Sequence, residues 1–280
     1  MLKLYLTSYT LLPFAIFNGV WGLSAQAPEG MFTAMSAQLF AVVGSKGGVG
    51  KSTVAFYTAY ALTKKGGSAV VLDLDLGFRC QSVFFGVESD VVYDLSDLMK
   101  AQTVEIDKAI KKCSFQDRLF LIPSCADPFT RLSFDNLSAV CAALRARFDY
   151  VVLDAPPSVS RGFIAAITLA DSAVLVTTPD RIAVKSASLC AQITAKAGIK
   201  SQRLIINKVP ESPKFPPVIA NFDSIIDETG VQLVGVVPQL EGLDRFSQNA
   251  KLVNPKSTFM LSFENIARRL NGEDVPLLIG

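Results

Sequence analysis

The stretch that most constrains this chain is GSKGGVGKST, residues 44–53, which directly follows the apolar run LFAVV at 39–43. A buried strand, a glycine-rich turn and a helix that opens at Lys51 are the setting of a phosphate-binding loop. The glycines let backbone N–H groups approach an anion, and the positive end of the helix adds to the same field. We therefore predict that a nucleotide is bound by Lys46, Gly47, Gly48, Val49, Gly50, Lys51, Ser52 and Thr53.

Two side chains of this loop are predicted to have distinct roles. Lys51 is expected to reach the β- and γ-phosphates, and the Ser52 hydroxyl is expected to ligate Mg²⁺. The predicted cofactors are therefore ATP and Mg²⁺. A chance GKS tripeptide in a surface turn is the alternative interpretation, and the complete ten-residue string in its strand–turn–helix setting disfavours it.

From about residue 38 onwards the chain alternates short apolar runs with longer helical patterns. Several runs are continuously hydrophobic, as are the strands of a parallel sheet covered on both faces. Strands are predicted at 39–44, 68–75, 118–124, 149–155, 172–178, 203–209 and 231–237. Helices are predicted at 51–65, 92–112, 131–147, 161–170, 181–197, 216–228 and 256–270. The alternation predicts an α/β fold with one doubly wound, mainly parallel sheet flanked by helices, in a single domain over 38–280.

Composition excludes several kinds of site. The 280 residues include no histidine, which removes Ser-His-Asp and Cys-His catalysis and histidine-ligated zinc. The five cysteines are an odd number without a CxxC pair, so buried reduced thiols are favoured over disulfides or a cysteine-only metal site. The net charge of +2 neither demands nucleic acid as a partner nor forbids it.

Residues 1–37 form an apolar N-terminal extension with no charge between Lys3 and Glu29. Three interpretations stay open: a start assigned too early, with Met31 or Met35 as the true start; an N-terminal anchor; or a signal peptide. We favour the first and rank the signal peptide last, because an ATP site needs cytosolic ATP and the segment lacks a strongly basic start.

The loop departs from the ordinary pattern GxxxxGK[ST], since Ser45 occupies the position of its first glycine and Lys46 follows. The resulting KGGVGKST resembles the deviant Walker A motif of the MinD/ParA family, in which the first lysine reaches across a dimer interface to the partner's nucleotide. The resemblance implies that Lys46 acts in trans and Lys51 in cis, both stabilising charge on the transferred phosphoryl group. A merely solvated Lys46 is the alternative.

Carboxylates follow two of the predicted strands. In VVLDLDLGFR, Asp73 and Asp75 project from the same side of a strand end, which matches the second acidic motif of the family. By that resemblance Asp75 helps to position the attacking water or the Mg²⁺ shell; a helix N-cap is the alternative. YVVLDAPPSVS places Asp154 at a carboxyl strand end, where it is expected to hold Mg²⁺ through water, with a turn-forming role as the alternative.

Later segments match the family more loosely. Asn207 and Lys208 in LIINKV and Pro238 in VGVVPQL stand where the family contacts adenine, although Asn207 is equally suited to cap a strand end. Cys80 and Ser82 replace an asparagine and an aspartate that MinD proteins commonly carry. The resemblance spans about 38–276 and implies a P-loop NTPase of the SIMIBI type that forms a homodimer around ATP. Since no dedicated side-chain base is present, it also implies a slow ATPase that a protein partner stimulates.

Within the family the chain is most similar to MinD proteins, which implies a role in positioning the division septum with a MinE- or MinC-like regulator. The expected location is cytoplasmic, with peripheral attachment at the inner face of the cell membrane as an option. GEDVPLLIG offers no counterpart of the family's C-terminal targeting helix. The apolar face of LSFENIARRL, residues 261–270, is expected to cover the core rather than enter a membrane.

Other functions stay open. A ParA-type partitioning ATPase would bind DNA as its ATP dimer through a basic surface. The candidates for that surface are Arg181, Lys185, Lys196, Lys200 and Arg203. Such a run is more often a solvated helix face. Relatives that position flagella or pili share the same motifs, and an adaptor that binds ATP without hydrolysing it is disfavoured by the intact loop serine and acidic motifs.

Overall fold

The computed structural model describes residues 37–101, 105–210, 221–243 and 253–277, and the structural statements below concern these residues. The N-terminal extension at 1–36 lies outside them, so the interpretations of that segment stay predictions. The beginning of the helix predicted at 216–228 also lies outside them.

The strands are β1 Gln38–Val43, β2 Ala69–Asp73, β3 Lys111–Lys112, β4 Leu119–Ile122, β5 Tyr150–Asp154, β6 Ser172–Thr177, β7 Ser201–Val209 and β8 Leu233–Pro238. They form one sheet in the order β3-β4-β2-β5-β1-β6-β7-β8. Every neighbouring pair is parallel except β3 with β4. The predicted strands and the doubly wound, mainly parallel fold are confirmed, whereas β3 was not predicted because two residues carry no periodic pattern.

The strand order reverses at β1, which lies between β5 and β6. A switch point of this kind is where open α/β sheets bind their ligands. Register places acidic residues there, because Asp154 of β5 is opposite both Val42 of β1 and Asp73 of β2. The fold therefore brings the glycine-rich loop and both acidic motifs to one edge of the sheet.

The α-helices of the described residues are α1 Lys51–Thr63, α2 Cys80–Phe85, α3 Leu95–Lys100, α4 Ile106–Ala109, α5 Phe134–Arg145, α6 Arg161–Leu169, α7 Arg181–Lys196, α8 Phe222–Thr229 and α9 Thr258–Leu270, and a 3₁₀-helix spans Glu88–Asp90. The starts of α5, α6 and α9 are fixed locally, since the hydroxyls of Ser133, Ser160 and Ser257 accept from N–H groups of the first turn. The short helix α2 was not predicted.

The single helix predicted over 92–112 is wrong, because the chain there forms α3, α4 and β3. Asp94 starts α3 through a capping box. A distant residue sets its end: the Asn136 amide of α5 donates to the carbonyls of Leu98, Met99 and Ala101. These carbonyls are satisfied without a further helical turn, which a local sequence pattern does not reveal.

Helices α1 and α9 supply an aromatic part of the core. The Tyr57 ring of α1 contacts the rings of Phe259 and Phe263 of α9, with centroids 4.9 and 5.3 Å apart. The prediction that this last helix covers the core is therefore confirmed, and its apolar face is not free to enter a membrane. Among the residues described, no helix is both long enough and apolar enough to cross a bilayer.

Candidate nucleotide-binding site

The loop between β1 and α1 is held by close contacts that a side chain would obstruct. A Cβ on Gly44 would lie 2.8 Å from the Val176 carbonyl oxygen of β6. A Cβ on Gly50 would lie 2.4 Å from the Asn207 amide nitrogen of β7, and Gly50 also has a φ of +91°. Position 44 therefore requires glycine because of the neighbouring strand. Position 50 requires it because of the Asn207 side chain and because its backbone is left-handed.

Lys51 begins α1 and is buried, with 7% of its surface exposed. Burial lowers the pKa of its ammonium group, while the carboxylates of Asp154 and Asp75 oppose that shift. The positive end of α1 adds to the positive field at this point. Lys51 is thus a cation held inside the loop, where it is suited to neutralise phosphate bound by its own chain.

Lys46 is in a different environment, although it is only five positions away. Its side chain is 38% exposed, and its ammonium group donates to Asp180 Oδ1 at 2.9 Å. Asp180 caps α7 by accepting from the Ala183 N–H. The Ser45 hydroxyl also bonds to this helix, donating to the Ser186 carbonyl at 2.7 Å. The two residues that distinguish this loop from the ordinary pattern therefore both attach it to α7.

A cleft of about 400 Å³ opens between the loop, the turn at 178–180 and residues 208–210. Partial burial alone would raise the pKa of Asp180, but hydrogen bonds from Thr178 and Lys46 lower it to about 2. The carboxylate is therefore ionised at neutral pH, and the mouth of the cleft carries an ion pair.

Asp73 and Asp154 are buried side by side at adjacent strand ends. Asp154 Oδ2 accepts from the Gln81 amide at 2.8 Å, and Asp73 Oδ1 accepts from the Asp75 N–H at 3.0 Å. Asp154 Oδ1 and Asp73 Oδ2 are buried without a hydrogen-bond partner in the described part of the chain. Burial raises the pKa of Asp154 to about 6 against the opposing effects of Gln81 and Ser52, and burial raises the pKa of Asp73 as well.

The unpartnered Asp154 oxygen fits the predicted Mg²⁺. This ion prefers oxygen ligands and keeps part of its hydration shell, so a buried carboxylate oxygen reached through water suits it. Ser52, in the first turn of α1, and Asp154 are the residues that would hold it. Asp75 is half-buried at the same strand end. The alternative helix-cap role is wrong for both aspartates of the second acidic motif, because α2 begins after Arg79.

Asn207 and Lys208 brace the loop from the end of β7. Asn207 Nδ2 donates to the Val49 carbonyl at 2.9 Å, and Lys208 Nζ donates to the Gly48 carbonyl at 2.8 Å. Lys208 has a φ of +58°, which is uncommon for a residue with a side chain. Pro238 lies at the end of the neighbouring strand β8. The contacts of Asn207 and Pro238 with adenine stay predictions.

Two residues of the site, Gln81 and Asp180, were missed by sequence reasoning, and the contact of Lys208 with the loop was not predicted. Gln81 contacts the metal-site aspartate, Asp180 pairs with Lys46, and Lys208 bonds to the loop backbone. Asp180 follows the end of the strand predicted at 172–178, and Lys208 lies in the last residues of the strand predicted at 203–209, so their position at the same edge of the sheet was a usable signal. Gln81 lies in an unpredicted helix and carried no such signal.

Comparison with known proteins agrees with this geometry. A model of the ParA family, described as NUBPL iron-transfer P-loop NTPase, matches residues 36–270. The septum site-determining protein MinD of Synechocystis sp. is 30% identical over 246 residues, covering 86% of this chain and 92% of that protein. The protein of the same name from Bacillus subtilis is 28% identical over 242 residues, covering 85% and 90%.

Solved structures share the fold. The MinC:MinD cell division protein complex of Aquifex aeolicus matches with a TM-score of 0.79 and 23% identity, over 86% of this chain and 98% of that chain. The septum site-determining protein MinD complexed with Mg-ADP, from Pyrococcus horikoshii, matches with a TM-score of 0.75 and 22% identity, over 84% and 96%. At these identities the likeness establishes the architecture alone.

Proposed function

The chain belongs to the ParA/MinD family of P-loop NTPases, and on that premise we propose that it is an ATPase whose cycle is one of assembly. ATP joins two copies into a dimer, and hydrolysis of ATP separates them. The output of the cycle is the dimer itself, which exists only from the binding of ATP until its hydrolysis. No further metabolic substrate is needed.

One observation carries this proposal: the two loop lysines have opposite environments. Lys51 is buried next to the carboxylates of the metal site, whereas Lys46 is partly exposed at the mouth of the cleft. A lysine that served only its own chain's phosphates would be expected inside the loop, as Lys51 is. An exposed lysine next to the same site supports a role towards a nucleotide bound by a second copy.

The roles of the other residues follow from their positions. Ser52 and Asp154 would hold Mg²⁺, which would supply neutralisation of phosphate charge. Asp75 orients the attacking water, and burial raises the pKa of this carboxyl group although Lys51 opposes the shift. The chain has no histidine to act as a base, so catalysis depends on positioning and charge. We propose that turnover is therefore slow until a protein partner completes the site.

The cellular role that we propose is placement of the division septum. Two relatives at 28–30% identity are named septum site-determining proteins, and a structural neighbour is titled a MinC:MinD complex. A MinC- or MinE-like regulator is accordingly the proposed partner, and the proposed location is cytoplasmic with peripheral attachment at the inner membrane face. Iron transfer, which the family description mentions, is not favoured because the five cysteines include no CxxC pair.

DNA binding by the ATP dimer is the second candidate. Four of the five cations considered for it are exposed: Arg181, Lys185, Lys196 and Lys200. None of the four forms an ion pair with a described carboxylate. Free exposed cations of this kind are suited to phosphate contacts, although they are also typical of a solvated face.

Light scattering of the full chain with Mg²⁺ and either ADP or a non-hydrolysable ATP analogue tests the assembly cycle. We expect a monomer with ADP and a dimer with the analogue, and a monomer in both would contradict the proposal. Rescue of medial division in a rod-shaped bacterium that lacks its septum site-determining protein tests the cellular role. Co-sedimentation of the analogue-bound dimer with DNA but not with anionic liposomes would favour the second candidate instead.

A further inference from the structure

We propose that Gln81 is a positioning residue of the metal site, whose side-chain amide orients Asp154 towards Mg²⁺. This inference rests on the proposed function, since it requires that a nucleotide and Mg²⁺ bind there. Gln81 lies in α2, which follows the second acidic motif, and none of its surface is exposed. Buried glutamine is uncommon, and burial of its amide is costly unless both polar ends are used.

The amide hydrogens of Gln81 are directed at two acceptors on different elements. Nε2 lies 2.9 Å from the Ser52 carbonyl oxygen and 2.8 Å from Asp154 Oδ2. Turning the amide by 180° would set Oε1 against two acceptors, so the neighbours permit only this orientation. Gln81 therefore connects the start of α1 with the end of β5, and these are the elements that carry the proposed metal ligands.

This connection decides which oxygen of Asp154 is available. Oδ2 is occupied by the Gln81 amide, whereas Oδ1 is buried and has no partner among the residues described. Ligands of a metal depend on such outer hydrogen bonds for their orientation, and loss of one typically reduces metal affinity 10–100-fold.

The other end of the Gln81 amide is consistent with this role. Its Oε1 is buried and also lacks a hydrogen-bond partner within the described residues. Buried polar atoms without protein partners are usually satisfied by ordered water.

The test measures the binding of a fluorescent ADP to the full chain as Mg²⁺ is titrated. In Gln81→Met the side chain keeps its length but loses its donors. We expect the affinity for ADP in EDTA to change by less than about twofold. The Mg²⁺ concentration that produces half of the full increase in ADP affinity should rise about 10–100-fold. Gln202→Met is the matched control, because it makes the same chemical change near the start of β7, at the edge of the sheet opposite the candidate site. Its Mg²⁺ requirement should equal that of the wild type.

The outcomes separate this inference from the proposed function. If the wild type binds ADP with no dependence on Mg²⁺, the proposed function fails and this inference fails with it. If the wild type depends on Mg²⁺ and Gln81→Met has the same half-maximal concentration, only the role of Gln81 is overturned. Should Gln81→Met lack a cooperative thermal transition, Gln81→Leu replaces it, since an apolar side chain of similar volume cannot donate to Asp154 and must show the same shift.

Discussion

Lys46 donates to Asp180 of its own chain at 2.9 Å, although family resemblance assigns this lysine to the nucleotide of a partner. The two side chains are 38% and 47% exposed, and pairs of this kind contribute about 1 kcal/mol or less. A bound triphosphate carries more negative charge than one carboxylate. We propose that the Asp180 contact is a resting position, from which the nucleotide of a second molecule would draw the lysine.

Asp180→Asn should make the ATP-dependent dimer form more readily. Asparagine is as good a helix cap as aspartate, so α7 keeps its start while Lys46 loses its charged partner. We expect the dissociation constant of the dimer, measured by analytical ultracentrifugation with a non-hydrolysable analogue, to fall about two- to fivefold. Asp171→Asn removes an exposed partner of Arg145 elsewhere and serves as the control. Weaker dimerisation in Asp180→Asn would show that the carboxylate itself serves the dimer.

Lys46→Ala should separate nucleotide binding from hydrolysis. Lys51 and the loop backbone stay in place, so ADP affinity of the monomer should change little. Removal of one charge-stabilising donor from a phosphoryl-transfer site typically costs about 100-fold in turnover, and we expect phosphate release to fall by about that factor. Lys112→Ala removes an exposed, ion-paired lysine of β3 as the control. Unchanged turnover in Lys46→Ala would contradict the proposed role of this lysine at the nucleotide of a second copy.

Phe263→Ala should destabilise the fold without touching the nucleotide site. The side chain is fully buried against Tyr57 and Phe259, and its truncation leaves a cavity. We expect the free energy of unfolding in urea to fall by about 3–5 kcal/mol. Leu261→Ala, on the exposed side of the same helix, should cost less than about 1 kcal/mol. Equal losses would mean that α9 does not pack as described.

The parts of this structure that were predicted from sequence are the local ones. The loop was recognised from ten consecutive residues. The central strands were recognised from continuous apolar runs such as LFAVV, which indicate a buried strand without reference to distant residues. Those predictions were enough to place Lys51, Ser52 and Asp154 at one edge of the sheet. The largest boundary error, the single helix predicted over 92–112, occurred where a distant side chain intervenes, as Asn136 does at the end of α3.

The contacts that define the site were not predictable in the same way. Lys46 meets Asp180 across 134 positions, and Gln81 meets Asp154 across 73. Such pairs depend on strand order and register, which no local pattern encodes. The sequence showed that Lys46 is unusual, but its resting partner became identifiable only when β1 and β6 were seen to be neighbours.

Stability of the nucleotide-free protein in EDTA should decline as pH rises from about 4 to 6. Burial raises the native pKa of Asp154 from an ordinary 3.8 to about 6, so between these values the native state binds a proton that the unfolded state does not. Protonation then favours the native state, and this stabilisation of about 1–3 kcal/mol is lost as pH rises through the native pKa. Buried Asp73 contributes in the same direction.

Urea denaturation at pH 4.5 and pH 7 checks this dependence, with Asp154→Asn as the diagnostic variant and Asp135→Asn, at the exposed start of α5, as the control. The amide does not titrate, so Asp154→Asn should reduce the pH dependence, leaving the contribution of Asp73, whereas the control retains all of it. A wild type that gains stability over the same interval would contradict the raised pKa.

Asn207→Ala should lower affinity for ATP and GTP by the same factor. The Asn207 amide donates to the Val49 carbonyl, and a Cβ at Gly50 would collide with it, so the side chain is packed against the loop that holds the phosphates. Its loss leaves a buried acceptor unpaired, which costs about 1–3 kcal/mol and should weaken both nucleotides about 5–100-fold. Competition binding against a fluorescent ADP measures both affinities. Thr194→Ala, a buried polar truncation in α7, is the control, and loss confined to ATP would instead assign Asn207 to the adenine base.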